Sequence, residues 1–285
     1  MNYKDVVSSF AGVVSPLVSN VFSRHSDIEV VTAKSMEYLL GESPRESLAL
    51  ARSWQKERMR IEQGFRKLTN LRCDLIEASS SQIKIPDEIF LHNFLARTTN
   101  GIVLASIHMG DYVHAIFRVA SKLKGRKLLL LRRSAGRHDD LFWQEMLGEY
   151  GVQVEIFQGK GAAIGLLQGI RRGGIAILFY DLPKRWGEVH PVTVLEKRLG
   201  WASGPARLAC LAQAHLVPFI CHEFENENIC TFGQILEPSG KSDLRSVACV
   251  GQHMAAEAGK VIRKYPVQWH NWYLVPEMLS GIASE

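Results

Sequence analysis

The sequence has no uninterrupted apolar run of the length that crosses a membrane. Such a helix needs about 20 consecutive apolar residues, whereas the nearest stretch, residues 6–22, is broken by serine, glycine and proline. The stretch also lacks the basic start of a secretory signal, because Lys4 is followed at once by Asp5. We therefore expect neither a membrane span nor a cleaved leader.

Cysteine is scarce and shows no metal-binding pattern. The chain has five cysteines, an odd number, and none of them stands at CxxC spacing. A disulfide framework is built from paired cysteines, and a structural zinc site needs closely spaced ligands. Neither is indicated, so a reducing compartment, the cytoplasm, is the expected location. The positions are Cys73, Cys210, Cys221, Cys230 and Cys249.

A strong excess of one charge is also absent. The 285 residues include 34 Lys and Arg against 29 Asp and Glu, a formal net charge of +5. Hydrophobic residues make up 46% of the chain, which excludes disordered and low-complexity classes and provides for a sizeable core. The mild positive charge suits an anionic partner, but we expect no nucleic-acid binding.

Residues 6–22 carry an apolar stripe at helical spacing opposite a serine-rich face. Two interpretations are open. The helix packs on the rest of the protein, or it lies at a bilayer surface, although it lacks the basic polar face that is typical of such helices. The stripe consists of Val6, Val7, Phe10, Val14, Leu17, Val18 and Val21.

Residues 27–71 are polar and favour helix. Within them, Ser43 can cap a helix whose first residue is Pro44, a position at which proline is well tolerated. Glu46 follows the serine by three residues, which is the spacing of a capping box. The sequence therefore predicts that a helix begins here.

Beyond residue 81, short apolar runs alternate with helical segments. Such alternation predicts βαβ units. The expected fold class is α/β, with a mixed, largely parallel central sheet flanked by helices. Residues 1–80 are expected to form a helical N-terminal region packed on residues 81–285, within one structural domain. The strand candidates are 102–107, 127–131, 152–157, 175–180, 217–221 and 232–236, and the helical segments are 111–123, 139–150, 162–172, 204–214 and 243–264.

His108 directly follows the first of these strand candidates. Ligands of open α/β sheets bind beyond the carboxyl ends of the strands, and a histidine there can act as a general base because it is neutral and basic at pH 7. Asp111 shares a helix face with His108 and can orient the ring. In the alternative interpretation, His108 caps the helix and Asp111 complements the helix dipole.

Four sequence blocks resemble, in order and spacing, those of the bacterial lipid A late acyltransferases, the lauroyl and myristoyl transferases. The family has a His-aromatic-Gly-Asn-Trp-acid block, a strand ending in Asp, a Gly-rich loop with a helix and a strand ending in Val-Pro, and a C-terminal Pro-x-Gln-Trp-x-Trp signature. The resemblance covers about residues 30–275. The matching segments are His108–Tyr112, Ile175–Asp181, Leu199–Ala209 with Leu216–Phe219, and Tyr265–Trp272.

The resemblance implies a glycerolipid acyltransferase-like fold and acyl transfer from a carrier-protein or coenzyme A thioester to a hydroxyl or amine. It implies no metal, no bound cofactor and no covalent enzyme intermediate. His108 would be the general base and Asp111 its orienting acid. The family places that acid five residues after the histidine, where this chain has Val113, so the resemblance is that of a divergent member.

Further substrate-binding residues follow from the same resemblance. The oxyanion of the reacting thioester needs hydrogen-bond donors, for which the backbone N–H groups at Gly110 or the side chain of Arg207 are candidates. Asp181 is expected at the same sheet edge as His108, as a second polar group in the cleft.

A basic rim is the last predicted feature of the site. Arg132 and Arg133 end another strand and, with Lys184 and Arg185, are expected to bind a phosphopantetheine, a lipid phosphate or an acidic carrier protein. The alternative interpretation of these charges is solvated surface. The expected partners are therefore an acyl carrier protein or acyl-coenzyme A.

The acyl acceptor is less well defined than the donor. The relatives' N-terminal membrane anchor is replaced here by residues 6–22, and Val113 indicates a changed reaction. Three alternatives stay open: a lipid acceptor, a soluble carrier-bound intermediate of specialised metabolism, and a non-catalytic acyl-binding protein. The expected location is the cytoplasm, or the cytoplasmic face of the inner membrane with residues 6–22 on its surface.

Overall fold

A six-stranded sheet flanked by helices forms the centre of the molecule. The computed structural model describes residues 25–68, 80–123, 125–132, 144–145, 147–148, 151–159, 161–237 and 244–282. Within them the helices are α1 His25–Leu40, α2 Pro44–Leu68, α3 Glu88–Arg97, α4 Tyr112–Ala120, α5 Ala162–Arg171, α6 Gly204–Ala212, α7 Leu244–Lys264 and α8 Val275–Ser280. The strands are β1 Ile102–Ser106, β2 Leu128–Arg132, β3 Val154–Gln158, β4 Ile175–Phe179, β5 Val189–Val194, β6 Lys197–Ala202, β7 His215–Phe224 and β8 Glu227–Phe232. Short 3₁₀ turns lie at Lys184–Trp186, Pro266–Gln268 and Trp272–Leu274.

The strands of the central sheet lie in the order β3, β2, β4, β1, β7, β8. The first five pair in parallel, and β8 pairs antiparallel with β7. The predicted α/β class, with a mixed, largely parallel sheet flanked by helices, is therefore confirmed. Strands β5 and β6 form a separate antiparallel hairpin.

Strand β1 shows why an inner strand of this sheet is a continuous apolar run in the sequence. All five of its residues are buried. Val103 and Ala105 belong to a hydrophobic cluster that includes residues of α1, α2 and α7, whereas Ile102 and Leu104 belong to a second cluster with residues of α3 and α4. A strand covered on both faces needs apolar side chains on both, so the alternating pattern of a half-exposed strand is lost.

Strands β1 and β4 are neighbours that end at the same edge of the sheet. Their register pairs Ser106 with Phe179, so His108 and Asp181, each two residues further along, leave the sheet side by side. Tyr180 donates its N–H to the Ser106 carbonyl at 3.1 Å, which holds the two segments together beyond the last pair. This carboxyl edge is where open α/β sheets bind ligands.

The N-terminal helices pack against the rest of the molecule through buried side chains. Trp54 of α2 is 1% exposed and donates its indole N–H to the carbonyl of Trp269 at 2.7 Å. The predicted capping box at the start of α2 is confirmed. Glu46 donates its N–H to Ser43 Oγ at 3.3 Å, and Ser43 donates its N–H to the Glu46 carboxylate at 3.1 Å.

The hairpin of β7 and β8 and the hairpin of β5 and β6 both differ from the sequence prediction, which placed one strand wrongly and did not include β5 and β6. The strand predicted at 232–236 is wrong, since β8 ends at Phe232. Glu225 and Asn226 form the tight turn that precedes it, and Leu195 and Glu196 form the turn between β5 and β6. All four residues have positive φ, as two-residue hairpin turns require, but only Asn226 is a residue type that signals such a turn.

Two further predictions concern residues outside the described ranges. The apolar stripe of residues 6–22 lies wholly outside them, and most of the predicted helix at 139–150 does as well. Among the helices that the structure describes, none is both long and apolar enough to cross a membrane.

Candidate functional site

His108 lies in the loop between β1 and α4, beside the end of β4. Its Nδ1 atom is 2.8 Å from Oδ1 of Asp181, and its backbone N–H donates to Oδ2 of the same carboxylate at 2.9 Å. The His108 side chain keeps 20% of its surface exposed, whereas Asp181 is fully buried. The carboxylate therefore holds both the ring and the main chain of the histidine.

The Asp181 carboxylate has further donors from the C-terminal segment. The indole N–H of Trp269 donates to Oδ2 at 2.8 Å, and Asn271 Nδ2 donates to Oδ2 at 3.0 Å and to the Asp181 carbonyl at 2.9 Å. Asn271 Nδ2 also lies 3.2 Å from Nδ1 of His108. A buried carboxylate is stable only when its oxygens are satisfied in this way.

The electrostatics of the pair decide which ring nitrogen of His108 is basic. Burial alone would raise the pKa of Asp181, but the adjacent His108 and the hydrogen bonds from His108 and Trp269 outweigh burial and hold that pKa below its usual value. The carboxylate is therefore ionised at neutral pH, and His108 Nδ1 carries the proton that it donates to Asp181. Nε2 is therefore the ring nitrogen that does not face Asp181.

The loop that carries His108 is fixed by backbone pairing with residues 268–270. The Gly110 N–H donates to the Gln268 carbonyl at 2.9 Å, and the His270 N–H donates to the His108 carbonyl at 2.8 Å. Gly110 has a φ of +53°, and a Cβ there would lie 2.8 Å from the carbonyl oxygen of Cys221. Both the turn and the close approach therefore require glycine at this position.

Aromatic side chains enclose the His108 ring. Phe179 stacks on it with a centroid distance of 4.1 Å, and Tyr112 meets it edge-to-face at 5.1 Å. His270 lies edge-to-face with Tyr112 at 5.4 Å. Burial, reinforced by the nearby His108, lowers the pKa of His270 to about 4, so its ring is neutral at pH 7 and its Nε2 can donate to the Gly110 carbonyl 3.0 Å away.

The structure corrects the predicted role of Asp111. Its carboxylate caps α4 by accepting the His114 N–H at 3.3 Å, and its Oδ2 lies 2.7 Å from His114 Nδ1. The orienting acid of His108 is Asp181 instead. The register of β1 and β4 places Asp181 against the ring, whereas the first turn of α4 directs Asp111 to its own helix.

Two predicted substrate-binding residues also have other roles. The Gly110 N–H is occupied by the Gln268 carbonyl and is not available as an oxyanion donor. Asp181, predicted as a second polar group in the cleft, is fully buried behind His108 and does not line the cavity. Both residues shape the site without contact to a ligand.

A cavity of about 1280 Å³ opens beside His108. Strands β2 and β4 and helices α5 and α6 line much of it with apolar side chains, and Val113, which stands at the acid position of the acyltransferase motif, is among the lining residues. Several lining side chains stay markedly exposed: Leu131 by 42%, Ile164 by 63%, Trp186 by 46% and Leu211 by 40%. A large, open, mostly apolar cavity with a few polar groups is typical of a site for an extended apolar ligand.

The predicted basic rim is only partly described. Arg185 lines the cavity, with Nε 3.2 Å from Glu277 Oε2, so the rim stays a prediction in which this cation already has a carboxylate partner. Arg207, predicted as an oxyanion donor, also lines the cavity and forms an ion pair with Glu188. The side chain of Arg132 and the whole of Arg133 lie outside the described residues.

Sequence reasoning missed the polar residues that complete the site. Trp269 and Asn271 lie in the fourth family-like block, whose dense run of aromatic and amide side chains was the available signal. Arg58 and Glu62 of α2 line the cavity as an i,i+4 ion pair, with Nε 2.8 Å from Oε1. Their spacing is visible in the sequence, but a helical pair of this kind is usually solvated surface.

The comparisons with known proteins name no family for this chain. Within the described residues, no group of three or more His, Cys, Asp or Glu side chains is arranged to hold a metal ion. No family model matches the chain, and no curated protein matches it at a significant level. The function is therefore argued from the geometry of the site itself.

Proposed function

We propose that the protein is an acyltransferase that moves an acyl group from a carrier-protein or coenzyme A thioester to a hydroxyl or amine acceptor. The observation that supports this most is the pairing of His108 with the buried Asp181 at the wall of a large, mostly apolar cavity. A histidine whose Nδ1 is held by a carboxylate presents Nε2 as a general base. The cavity has room for an acyl chain next to that base.

The reaction follows from these positions. The acceptor O–H or N–H gives its proton to His108 Nε2 as its oxygen or nitrogen attacks the thioester carbonyl. The C–S bond then breaks, and the departing thiolate takes the proton back from the imidazolium. Asp181 stabilises the imidazolium between these steps, which is why a buried, ionised carboxylate is needed at Nδ1.

Tyr112 is the best placed donor for the oxyanion of the tetrahedral intermediate. It lines the cavity and contacts the His108 ring. Burial raises the pKa of its phenol to about 12, so the hydroxyl stays protonated throughout the working pH range and keeps a proton to donate. Removal of one such donor from other acyl-transfer sites costs about 10²–10³-fold in rate, and Tyr112→Phe tests this role directly.

This assignment extends the resemblance to the lipid A late acyltransferases. The glycerolipid acyltransferase-like fold identity is part of the proposal, and the observed α/β sheet is compatible with it. The departure at Val113 has a simple interpretation within the proposal, because the acid is supplied by Asp181 from the neighbouring strand. Val113 itself is 6% exposed and extends the apolar lining.

The test is a thioester consumption assay with myristoyl-coenzyme A as donor and ethanolamine as acceptor, since ethanolamine offers both a hydroxyl and an amine. Thiol release and acylated product are measured for wild type and for His108→Ala, Asp181→Asn and Asp111→Asn. Loss of a general base costs about 10²–10⁴-fold, so we expect His108→Ala to lose the activity. Asp181→Asn should lose most of it, and Asp111→Asn, which can still cap α4, should resemble wild type.

Two results would contradict the proposal. If wild type releases thiol no faster than His108→Ala with ethanolamine and with every other acceptor offered, the proposed acyl transfer is wrong, and donor binding without turnover would favour the non-catalytic alternative. If Asp111→Asn loses as much as Asp181→Asn, the assignment of the acid is wrong. Far-UV circular dichroism of each variant separates loss of activity from loss of fold.

A further inference from the structure

The cavity beside His108 has two chemically different sides. Strands β2 and β4 with helices α5 and α6 supply mostly apolar side chains, with Arg207 of α6 as a charged exception. Helix α2 and the C-terminal segment supply charged and aromatic ones, among them Arg58, Glu62 and Tyr273. If an acyl chain occupies the apolar side, the acceptor is left with the α2 side. The charges there then indicate the acceptor's own chemistry.

Each arginine among the described cavity-lining residues has a carboxylate partner. Arg58 pairs with Glu62, Arg207 with Glu188, and Arg185 with Glu277, which lies behind it. Three guanidinium groups are thus balanced by three carboxylates. A site for a multiply phosphorylated acceptor needs uncompensated cations, since phosphate binds to arginines and lysines that have no competing carboxylate.

Among these pairs, the one between Arg58 and Glu62 has the least exposed arginine. The Arg58 guanidinium lies 4.6 Å from the ring centroid of Tyr273 and 5.4 Å from that of Trp54. The Arg58 side chain is 20% exposed, whereas that of Glu62 is 48% exposed. Two aromatic rings therefore hold the cation in place, and Nε is its only atom bonded to Glu62. Among the hydrogen bonds of the described residues, neither the terminal nitrogens of Arg58 nor Oε2 of Glu62 has a partner, and both residues line the cavity.

We infer that the acceptor is a zwitterion with a free hydroxyl or second amine, its anionic group bound by Arg58 and its cationic group bound by Glu62, as in a hydroxy- or diamino-substituted amino acid or a zwitterionic lipid that keeps a free hydroxyl. This inference rests on the proposed acyl transfer and specifies its acceptor. A carboxylate matches the donors of a guanidinium, and an ammonium matches the exposed oxygen of Glu62. Binding exchanges one ion pair for two, so neither charge is left alone.

The experiment compares acceptors of matched size with myristoyl-coenzyme A as donor. L-serine and L-ornithine carry both charges, serine methyl ester lacks the anion, N-acetylserine lacks the cation, and glycerol 3-phosphate replaces both with a dianion. Vesicles containing lysophosphatidylethanolamine present a zwitterionic headgroup on a lipid together with a free glycerol hydroxyl that can accept the acyl group. Acylated products are quantified by mass spectrometry, and thiol release without any acceptor reports hydrolysis of the donor separately.

We expect transfer to the free amino acids or to the vesicle lipid, with weaker transfer to each singly charged analogue. The free and vesicle arms identify the source of the zwitterion. Arg58→Gln should raise KM for the zwitterion about 10-fold or more, because a hydrogen-bonded charge is lost. Arg58→Lys should recover part of the loss, and KM for the donor should change far less. Arg52→Gln is the matched control, since Arg52 lies on the same helix, pairs with Glu29 and does not line the cavity.

Other results would overturn the inference. Preferred transfer to glycerol 3-phosphate, or failure of every zwitterion to raise product above background while hydrolysis depends on His108, shows that the acceptor class is wrong and leaves the proposed function standing. An equal KM increase in Arg58→Gln and Arg52→Gln shows that Arg58 does not bind the acceptor. Absence of His108-dependent hydrolysis and of transfer to any acceptor overturns both proposals at once.

Discussion

The polar groups behind His108 and the ion pairs that line the cavity belong to one site but differ in burial. Asp181 and Trp269 are fully buried, and the carboxylate accepts hydrogen bonds from His108, Trp269 and Asn271. The side chains of Arg207 and Glu188 are 37% and 58% exposed. Water competes for the exposed groups and cannot reach the buried ones.

This contrast assigns different tasks to the two regions. A buried charge that loses one partner stays unsatisfied, so the network around Asp181 is rigid and holds the base in one orientation. An exposed ion pair contributes little to stability and can exchange its partner for a ligand at small cost. The buried region is therefore suited to position the catalytic group, and the exposed region to bind a substrate.

The largest effect on stability is expected from Asp181→Ala. The change leaves the indole N–H of Trp269 and the backbone N–H of His108 without an acceptor, while Asn271 keeps only the carbonyl of residue 181. We expect a loss of about 3 kcal/mol or more in the free energy of unfolding. Asp111→Ala removes only a helix cap and should cost about 1 kcal/mol. Urea unfolding of both variants measures the difference, and equal losses would show that the two aspartates are equivalent.

A smaller effect is expected from Trp269→Phe, which removes one donor to Asp181 and keeps the ring. The cost should be about 1–3 kcal/mol, because a buried carboxylate oxygen loses a hydrogen bond. Trp201 is the matched control, since it is also buried but donates to the sulfur of Met278 at 3.3 Å, a weak acceptor. Thermal and urea unfolding should rank Trp269→Phe below Trp201→Phe in stability, and the reverse order would contradict the role of the indole N–H.

The buried His270 should make the free energy of unfolding depend on pH. Burial lowers the pKa of His270 from 6.5 to about 4, so below pH 6.5 the unfolded chain binds a proton that the folded chain does not. Stability should therefore fall as the pH falls from 6.5, by about 2 kcal/mol at pH 5. Urea unfolding at a series of pH values should show a flatter dependence over this window in His270→Gln, and an unchanged slope would contradict the prediction.

The smallest effect is expected from Arg207→Gln on the exposed side. Since both partners of its ion pair with Glu188 are more than a third exposed, the free energy of unfolding should change by about 0.5 kcal/mol or less. The change should shrink further when unfolding is measured at high salt. A loss as large as that of Trp269→Phe would show that the exposed pair is structural, and the contrast between the two regions would fail.

Local sequence patterns predicted much of the fold. Runs rich in apolar residues predicted five strands of the central sheet. The run is continuous in β1 and β4, which lie inside the sheet and are largely buried on both faces, whereas the edge strand β3 alternates and is only partly buried. The spacing from Ser43 to Glu46 predicted the start of α2. The hairpin of β5 and β6 escaped prediction because its turn at Leu195 and Glu196 uses residues that carry no turn signal, and tertiary packing overrides their preference for negative φ.

The sequence predicted only those residues of the candidate site whose position follows from their neighbours in the chain. His108 was recognisable because it follows a buried strand, and the sheet edge is set by that strand's direction. Its acid was not, because Asp111 and Asp181 are both plausible from the sequence and the choice depends on strand register. Arg58 illustrates a different limit. An i,i+4 ion pair looks the same whether its helix face meets solvent or a cavity.

The sequence alone therefore determined the α/β class, the helical N-terminal region and the position of the histidine, since each depends on periodicity or on neighbours within a few residues. Tertiary structure alone decided which carboxylate pairs with the histidine and which helix forms the charged side of the cavity. Asp181 is 73 residues from His108, and Asn271 is 163 residues from it. Contacts across such separations follow from strand order and register, for which no local pattern of residues is a signal.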